Sequence, residues 1–176
     1  MVELFWLAQA VGGIGLIFSI LSFNSKTRNG LLAHQSSGSF VYFIHYLMLG
    51  GWTGAAMELL VVLRNWVFIK KETHTWAKHD GWMYFFILLA LVLLAISWQG
   101  YISLLPTIGI ISGIYTRWHH PPAKIRLYSL GGLILWIPYN IFIHSIAGTI
   151  TVLITSVVII VAILKHDRNT PAPVGL

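Results

Sequence analysis

Seven stretches of about twenty residues, nearly free of charge, dominate this chain of 176 residues and limit what it can become. A helix needs roughly 20 mostly apolar residues to cross a bilayer. The stretches run Leu4–Phe23, Leu31–Leu49, Trp52–Ile69, Gly81–Trp98, Tyr101–Trp118, Ile125–His144 and Ile146–Lys165. Between them they leave only 9% charged residues for the whole chain, against about a quarter in soluble domains. A water-facing surface cannot be built from that supply. The expected fold is therefore an all-α membrane protein of seven transmembrane helices. A secreted disulfide scaffold, a disordered chain and a cytosolic enzyme are all excluded. With no cysteine, thiolate metal sites and cysteine nucleophiles are excluded too. The first stretch follows Glu3 rather than a basic segment, so it reads as a span and not as a cleavable signal.

Charge placement gives the span count an independent test. Lys26 and Arg28 follow the first span, and Lys70, Lys71 and Lys78 follow the third. Arg117, Lys124 and Arg126 flank the fifth loop, and Lys165 and Arg168 follow the seventh. The loops after spans two, four and six have none, and Arg64 lies within a span, well away from these loops. Under the positive-inside rule the N-terminus is expected outside and the C-terminus in the cytoplasm. Because the net charge of +6 is spread between apolar runs, it reads as membrane topology and not as a nucleic-acid surface. Trp6, Trp52 and Trp98 fall at the expected outer boundary, and Trp66, Trp76, Trp82 and Trp118 at or near the inner one, as an aromatic belt requires. Trp136 falls mid-span.

Shifted by 94 residues, the chain aligns 8–71 with 102–165 without a gap. Ile14, Gly15, Gly38, Gly54 and Lys71 are among the residues that meet their own kind, at Ile108, Gly109, Gly132, Gly148 and Lys165. The long basic loop and the short opposite loop coincide as well. Both halves start on the same side. The expected organisation is a three-helix bundle over 1–71, a linker helix over 72–100, a second and parallel bundle over 101–168, and a disordered tail over 169–176.

That layout resembles the SWEET transporter architecture, in which two parallel triple-helix repeats are joined by a linker helix. In sequence the chain is similar to the YgjV-type family of bacterial inner-membrane proteins. The similarity lies in Trp6-Leu-Ala-Gln9, His45-Tyr-Leu-Met-Leu-Gly50 with Gly54-Ala55, Leu63-Arg64-Asn65 and Leu104-Leu-Pro-Thr-Ile-Gly109. The resemblance implies a fold and an inner-membrane location more than a substrate. The Pro-Gln pair of the wider PQ-loop group is absent: Pro106 stands alone in span five, and its repeat mate is Gly12.

Polar groups at membrane depth cost free energy unless they are paired or face water, which makes each a site candidate. Tyr42, His45 and Tyr46 share one helical face of span two, and Trp136 and Asn140 share one of span six. The repeat superposes Tyr42 on Trp136 and Tyr46 on Asn140. Aromatic faces with an amide suit a small polar solute such as a sugar or nucleoside-like molecule. The competing expectation is that these rings only fill gaps between helices. Glu58, the one acidic residue inside a span, is expected to bond His45, to accept from a solute, or to couple protons. Arg64 and Asn65 read as a gate at the inner mouth, although Arg64 could also snorkel to the surface or recognise an anion. Pro106 reads as a hinge. Thr149, Thr151, Thr155 and Ser156 are expected to bond their own helix. No nucleophile with its base, phosphate loop or clustered metal ligands appears, so no catalytic residue, metal or cofactor is expected. The expected function is a membrane transporter, facilitating or ion-coupled, working by alternating access. The alternative is a non-transporting receptor or assembly protein of the same fold. Expected partners are the bilayer, the solute and, in a homo-oligomer, a second copy of the chain.

Overall fold

The computed structural model describes residues 2–167. They form seven α-helices and no strand: α1 (Val2–Asn24), α2 (Arg28–Met48), α3 (Trp52–Lys70), α4 (Gly81–Ile96), α5 (Leu104–His119), α6 (Pro122–Phe142) and α7 (Ile146–Ala162). Single turns precede α4 and α5, and α7 runs on into a wider turn, Ile163–Asp167. Each expected span is present as a helix, with ends shifted by at most three residues. Arg168 and the expected tail 169–176 lie outside the described residues.

Three segments, Val2–Asn24, Trp52–Lys70 and Ile146–Lys165, are long and apolar enough to cross a membrane on their own. Helix α4 is apolar but has only 16 residues. Helix α5 also has only 16 residues, and α2, α5 and α6 each carry a polar stripe that packing turns inward.

Helix α2 packs between α1 and α3, and α6 packs between α5 and α7. Contacts of α1 with α7 and of α3 with α5 close these six into a ring, and α4 covers the α3–α5 seam. Large apolar side chains such as Leu63, Leu88, Ile134 and Val157 cover the outside of the ring and are at least half exposed. Such a surface would associate in water and suits lipid.

The α2–α3 and α6–α7 turns are built alike. Each helix ends on a residue in the left-handed region, Gly50 (φ 72°) and His144 (φ 57°). The next amides, Gly51 N and Ser145 N, reach back to Tyr46 O and Asn140 O, each at 2.8 Å. This is the helix-terminating pattern in which a left-handed residue lets the chain satisfy its last carbonyls. Every one of these positions is 94 residues from its counterpart. Ser145 also caps α7 by accepting from Gly148 N at 3.0 Å, as Thr27 caps α2 through Gly30 N.

The two ends of the ring are held differently. At the end where α1 begins, here the N face, side chains tie helix to helix. Gln9 donates to His144 O and accepts from Ala147 N, and Thr53 joins Ser97 O and Ser103. At the opposite, basic face, cations cap helix C-termini, where the macrodipole favours them. Arg28 donates to Phe68 O and Arg117 O, Lys71 to Trp118 O, and Arg126 to Phe23 O and Ser25 O. Burial, and after it the neighbouring Arg28, hold the Lys71 ammonium below its usual range.

Candidate functional site

One small or polar stripe on each of the six ring helices faces the ring's interior. On α5 it is Gly109, Ser112, Gly113, Thr116 and Arg117, spaced by three and four residues and hence on one helical face. On α2 it is Gln35, Gly38, Ser39, Tyr42 and Tyr46, and on α6 Ser129, Gly132, Trp136 and Asn140. Helix α7 adds Gly148, Thr151 and Thr155, α3 adds Glu58 and Arg64, and α1 adds Ser19 and Ser22. Together they enclose a cavity of about 140 Å³.

Towards the N face the cavity ends in a layer of rings. Tyr46 donates to Asn140 Oδ1 at 2.9 Å and stacks on Trp136 at 5.8 Å between centroids. Tyr42 donates to Thr151 Oγ1. Tyr42 can lie flat on α1 because residue 15 is glycine: a Cβ there would come within 2.5 Å of the ring. Glu58 faces the cavity beside Ser39 of α2, with Arg64 and Arg117 as its nearby cations.

Towards the basic face, two guanidinium groups enter from α3 and α5. Side chains tilt toward the N-terminus of their helix, and both helices begin at the N face. Arg64 and Arg117 therefore point toward the middle of the ring. Their Nη1 atoms lie within 3.5 Å and 3.0 Å of the point a Cβ on Gly113 would occupy, about 13 Å along α5 at 1.5 Å per residue. Arg117 is fully engaged, with Nε on Gln35 Oε1 at 2.9 Å and the other nitrogens on Gly113 O and Ser129 Oγ. Arg64 donates through Nε to Asn65 Oδ1 at 3.2 Å, and its Nη1 has no partner.

Four buried side-chain polar atoms lack a hydrogen-bond partner among the described residues, and three of them, Arg64 Nη1, Asn140 Nδ2 and Thr155 Oγ1, belong to residues that line this cavity. Such atoms are costly to bury, and native structures keep few of them without a reason. The cavity has two donors and a hydroxyl to offer an incoming molecule, an acceptor in Glu58, and aromatic faces in Tyr42, Tyr46 and Trp136.

Of the residues expected at the site, Trp136, Asn140, Tyr42, Tyr46, Glu58 and Arg64 line the cavity. His45 does not. It is fully buried behind the wall, with Nδ1 on Ala8 O and Nε2 on Ser145 Oγ, both at 2.7 Å. Both nitrogens are occupied, so neither a His45–Glu58 bond nor a His45–solute contact is available. Arg64 does not snorkel: it is 1% exposed, because its side chain points away from the nearer face. Asn65 stands behind the lining, donating to Leu32 O and Gln35 Oε1 and linking Arg64 indirectly to Arg117. Pro106 is the third residue of α5, where a missing amide hydrogen costs nothing, so it lies in the first turn of a helix and interrupts no helical bond. The interior proline is Pro138 of α6. Two of the expected self-bonded hydroxyls, Thr149 and Ser156, do bond the preceding turn. Thr151 instead takes Tyr42, and Thr155 faces the cavity unpartnered.

The residues missed in sequence were Arg117, Gln35, Gly113 and Tyr139. Arg117 lies one residue from an expected span end and was counted with the loop charges. Tyr139, fully buried, accepts from Gly54 N at 2.7 Å. The available signal was the stripe of small and polar residues at helical spacing on α5.

A family model described as Imp-YgjV, bacterial inner membrane protein, matches residues 6–170. The chain belongs to this family. It is similar to the inner membrane protein YgjV of Escherichia coli (strain K12), at 25% identity over 145 residues covering 82% of this chain and 76% of that protein. No solved structure matches significantly. As a member of Imp-YgjV, the protein is a bacterial inner membrane protein, and the cavity-lining stripes lie within the matched region.

Proposed function

We propose that the protein is a transporter of a small polar solute, a facilitator or an ion-coupled carrier, working by alternating access. The observation that carries this reading is the convergence of three residues with unpartnered buried polar atoms on one cavity inside the ring. A scaffold or assembly protein would pair such groups and leave the interior dry. Residues 1–71 and 101–168 are the two moving halves, joined by 72–100, in a SWEET-like arrangement with the N-terminus outside. The matching turns at Gly50 and His144 support that division. The solute sits among Trp136, Asn140, Tyr42, Tyr46 and Glu58. The halves meet through side-chain ties at the N face and through Arg28, Lys71 and Arg126 at the basic face, and one set opens as the other holds. Pro138 denies the carbonyl four residues before it a helical bond. It therefore loosens α6 beside the aromatic layer. Uptake of a panel of labelled sugars, polyols and small acids into proteoliposomes tests the reading; a protein that moves none of them above empty vesicles is not a transporter of this class.

A further inference from the structure

We infer that the solute carries a carboxylate and that Arg64 is the residue that reads it; this rests on the cavity being a solute site, as proposed above. The inference starts from a charge imbalance. Two guanidinium groups, Arg64 and Arg117, enter the cavity against one carboxylate, Glu58. Arg117 spreads its charge over three neutral acceptors. Arg64 has the Asn65 amide oxygen and the Phe68 ring, 5.8 Å from its Cζ, and its Nη1 is buried with no hydrogen-bond partner. Glu58 acts on Arg64 through its charge and has Ser39 as its hydrogen-bonding neighbour, and the Arg64 Nη1 donor is left without a hydrogen-bond partner. A cation enclosed by apolar helices is costly unless an anion shares its site.

The shape of the opening favours a carboxylate over a point anion. A guanidinium presents a planar fork that two carboxylate oxygens can take together. Residue 113 is glycine: a Cβ there would be tight against Arg117 Nη1 at 3.0 Å and in contact with Arg64 Nη1 at 3.5 Å, so the glycine leaves the space beside both groups free. The cavity of about 140 Å³ is close to the roughly 150 Å³ that admits benzene. It therefore holds about six non-hydrogen atoms, the size of a short hydroxy acid. The remainder of such a molecule would lie toward Trp136 and Tyr42, with Thr155 Oγ1 and Asn140 Nδ2 placed for its hydroxyl.

Lactate and its neutral amide, lactamide, have the same number of heavy atoms and differ in charge, and they make the test. Purified full-length protein in detergent should be stabilised against thermal unfolding, saturably, by lactate and not by lactamide or by chloride at equal ionic strength. Arg64→Gln should weaken the lactate response roughly 10- to 150-fold, as the loss of a charged hydrogen bond implies. Should that variant fail to fold, Arg64→Lys keeps the charge but not the fork and should still weaken it. Equal stabilisation by lactate and lactamide, an equal effect of chloride, or an unchanged response in a folded Arg64 variant overturns the inference; the wild-type contrast decides even where no variant folds. Uptake in proteoliposomes separates the two readings. Arg64-dependent lactate binding without uptake defeats transport and leaves the anion site standing. Uptake of neutral glycerol without lactate binding does the reverse.

Discussion

Asn140 shows how one side chain can hold two roles. Its oxygen accepts the Tyr46 hydroxyl at 2.9 Å, while its nitrogen is buried without a partner on the cavity wall. Replacing it with leucine therefore removes more than a solute contact. Asn140→Leu strands the Tyr46 hydroxyl, and the expected cost is about 1–3 kcal/mol of stability, read from denaturation in detergent. Adding Tyr46→Phe should recover most of that loss, because the stranded group is then gone. Uptake should stay impaired in the double variant, since the nitrogen is still missing; a double variant with normal uptake would remove Asn140 from the site. Sequence spacing was enough to place Trp136 and Asn140 on one face. It could not reveal that His45, on the same face as Tyr42 and Tyr46, is claimed by Ala8 and Ser145 from elements far away in the chain.

At the scale of the helix, glycines divide by what lies opposite them. Gly13 and Gly131 face open space, while a Cβ on Gly54 would come within 2.7 Å of the Tyr139 ring. Gly13→Ala and Gly131→Ala should each raise stability by up to about 1 kcal/mol, since alanine is the better helix former. Gly54→Ala should lower it by about 1–3 kcal/mol, since the overpacked ring must move. Thermal unfolding of the three variants side by side checks the ordering. Pro138 gives a second test on α6. Pro138→Ala restores a helical hydrogen bond and should raise the unfolding temperature, and if α6 flexes during transport it should slow uptake as well. Faster or unchanged uptake in a stabilised Pro138→Ala variant would place the flexing elsewhere.

The whole molecule is an apolar ring with a charged interior, the inverse of a soluble domain. That inversion follows from lipid as the outer solvent: Leu88 and Ile134 can stay outside, and Arg64 and Arg117 are tolerated only where polar neighbours surround them. Ten of the eleven Lys and Arg residues lie toward one face by position in the sequence. A reporter fused after residue 176 should accordingly be cytoplasmic and one placed before residue 1 external. An external C-terminal reporter would reverse the proposed orientation. The halves 1–71 and 101–168 should also superpose as three-helix units about an axis along the membrane normal. The turns at Gly50 and His144 already share the bonds Gly51 N to Tyr46 O and Ser145 N to Asn140 O, and those flanking them at Leu49 and Ile143.

The sequence by itself determined the solvent, the number of helices and their ends to within three residues, because these follow from the length of apolar runs and from where Lys and Arg interrupt them. It also determined which faces of α2 and α6 are polar, because helical period is local. The tertiary structure alone decided which of those polar groups are already partnered. His45 and Glu58 lie on adjacent helices at plausible depths, yet His45 is bonded to α1 and to the turn before α7. Arg117 looked like a loop charge and became part of the interior because its side chain runs back along α5 to Gly113. Partner choice depends on how helices distant in the chain close the ring, and no local spacing records that.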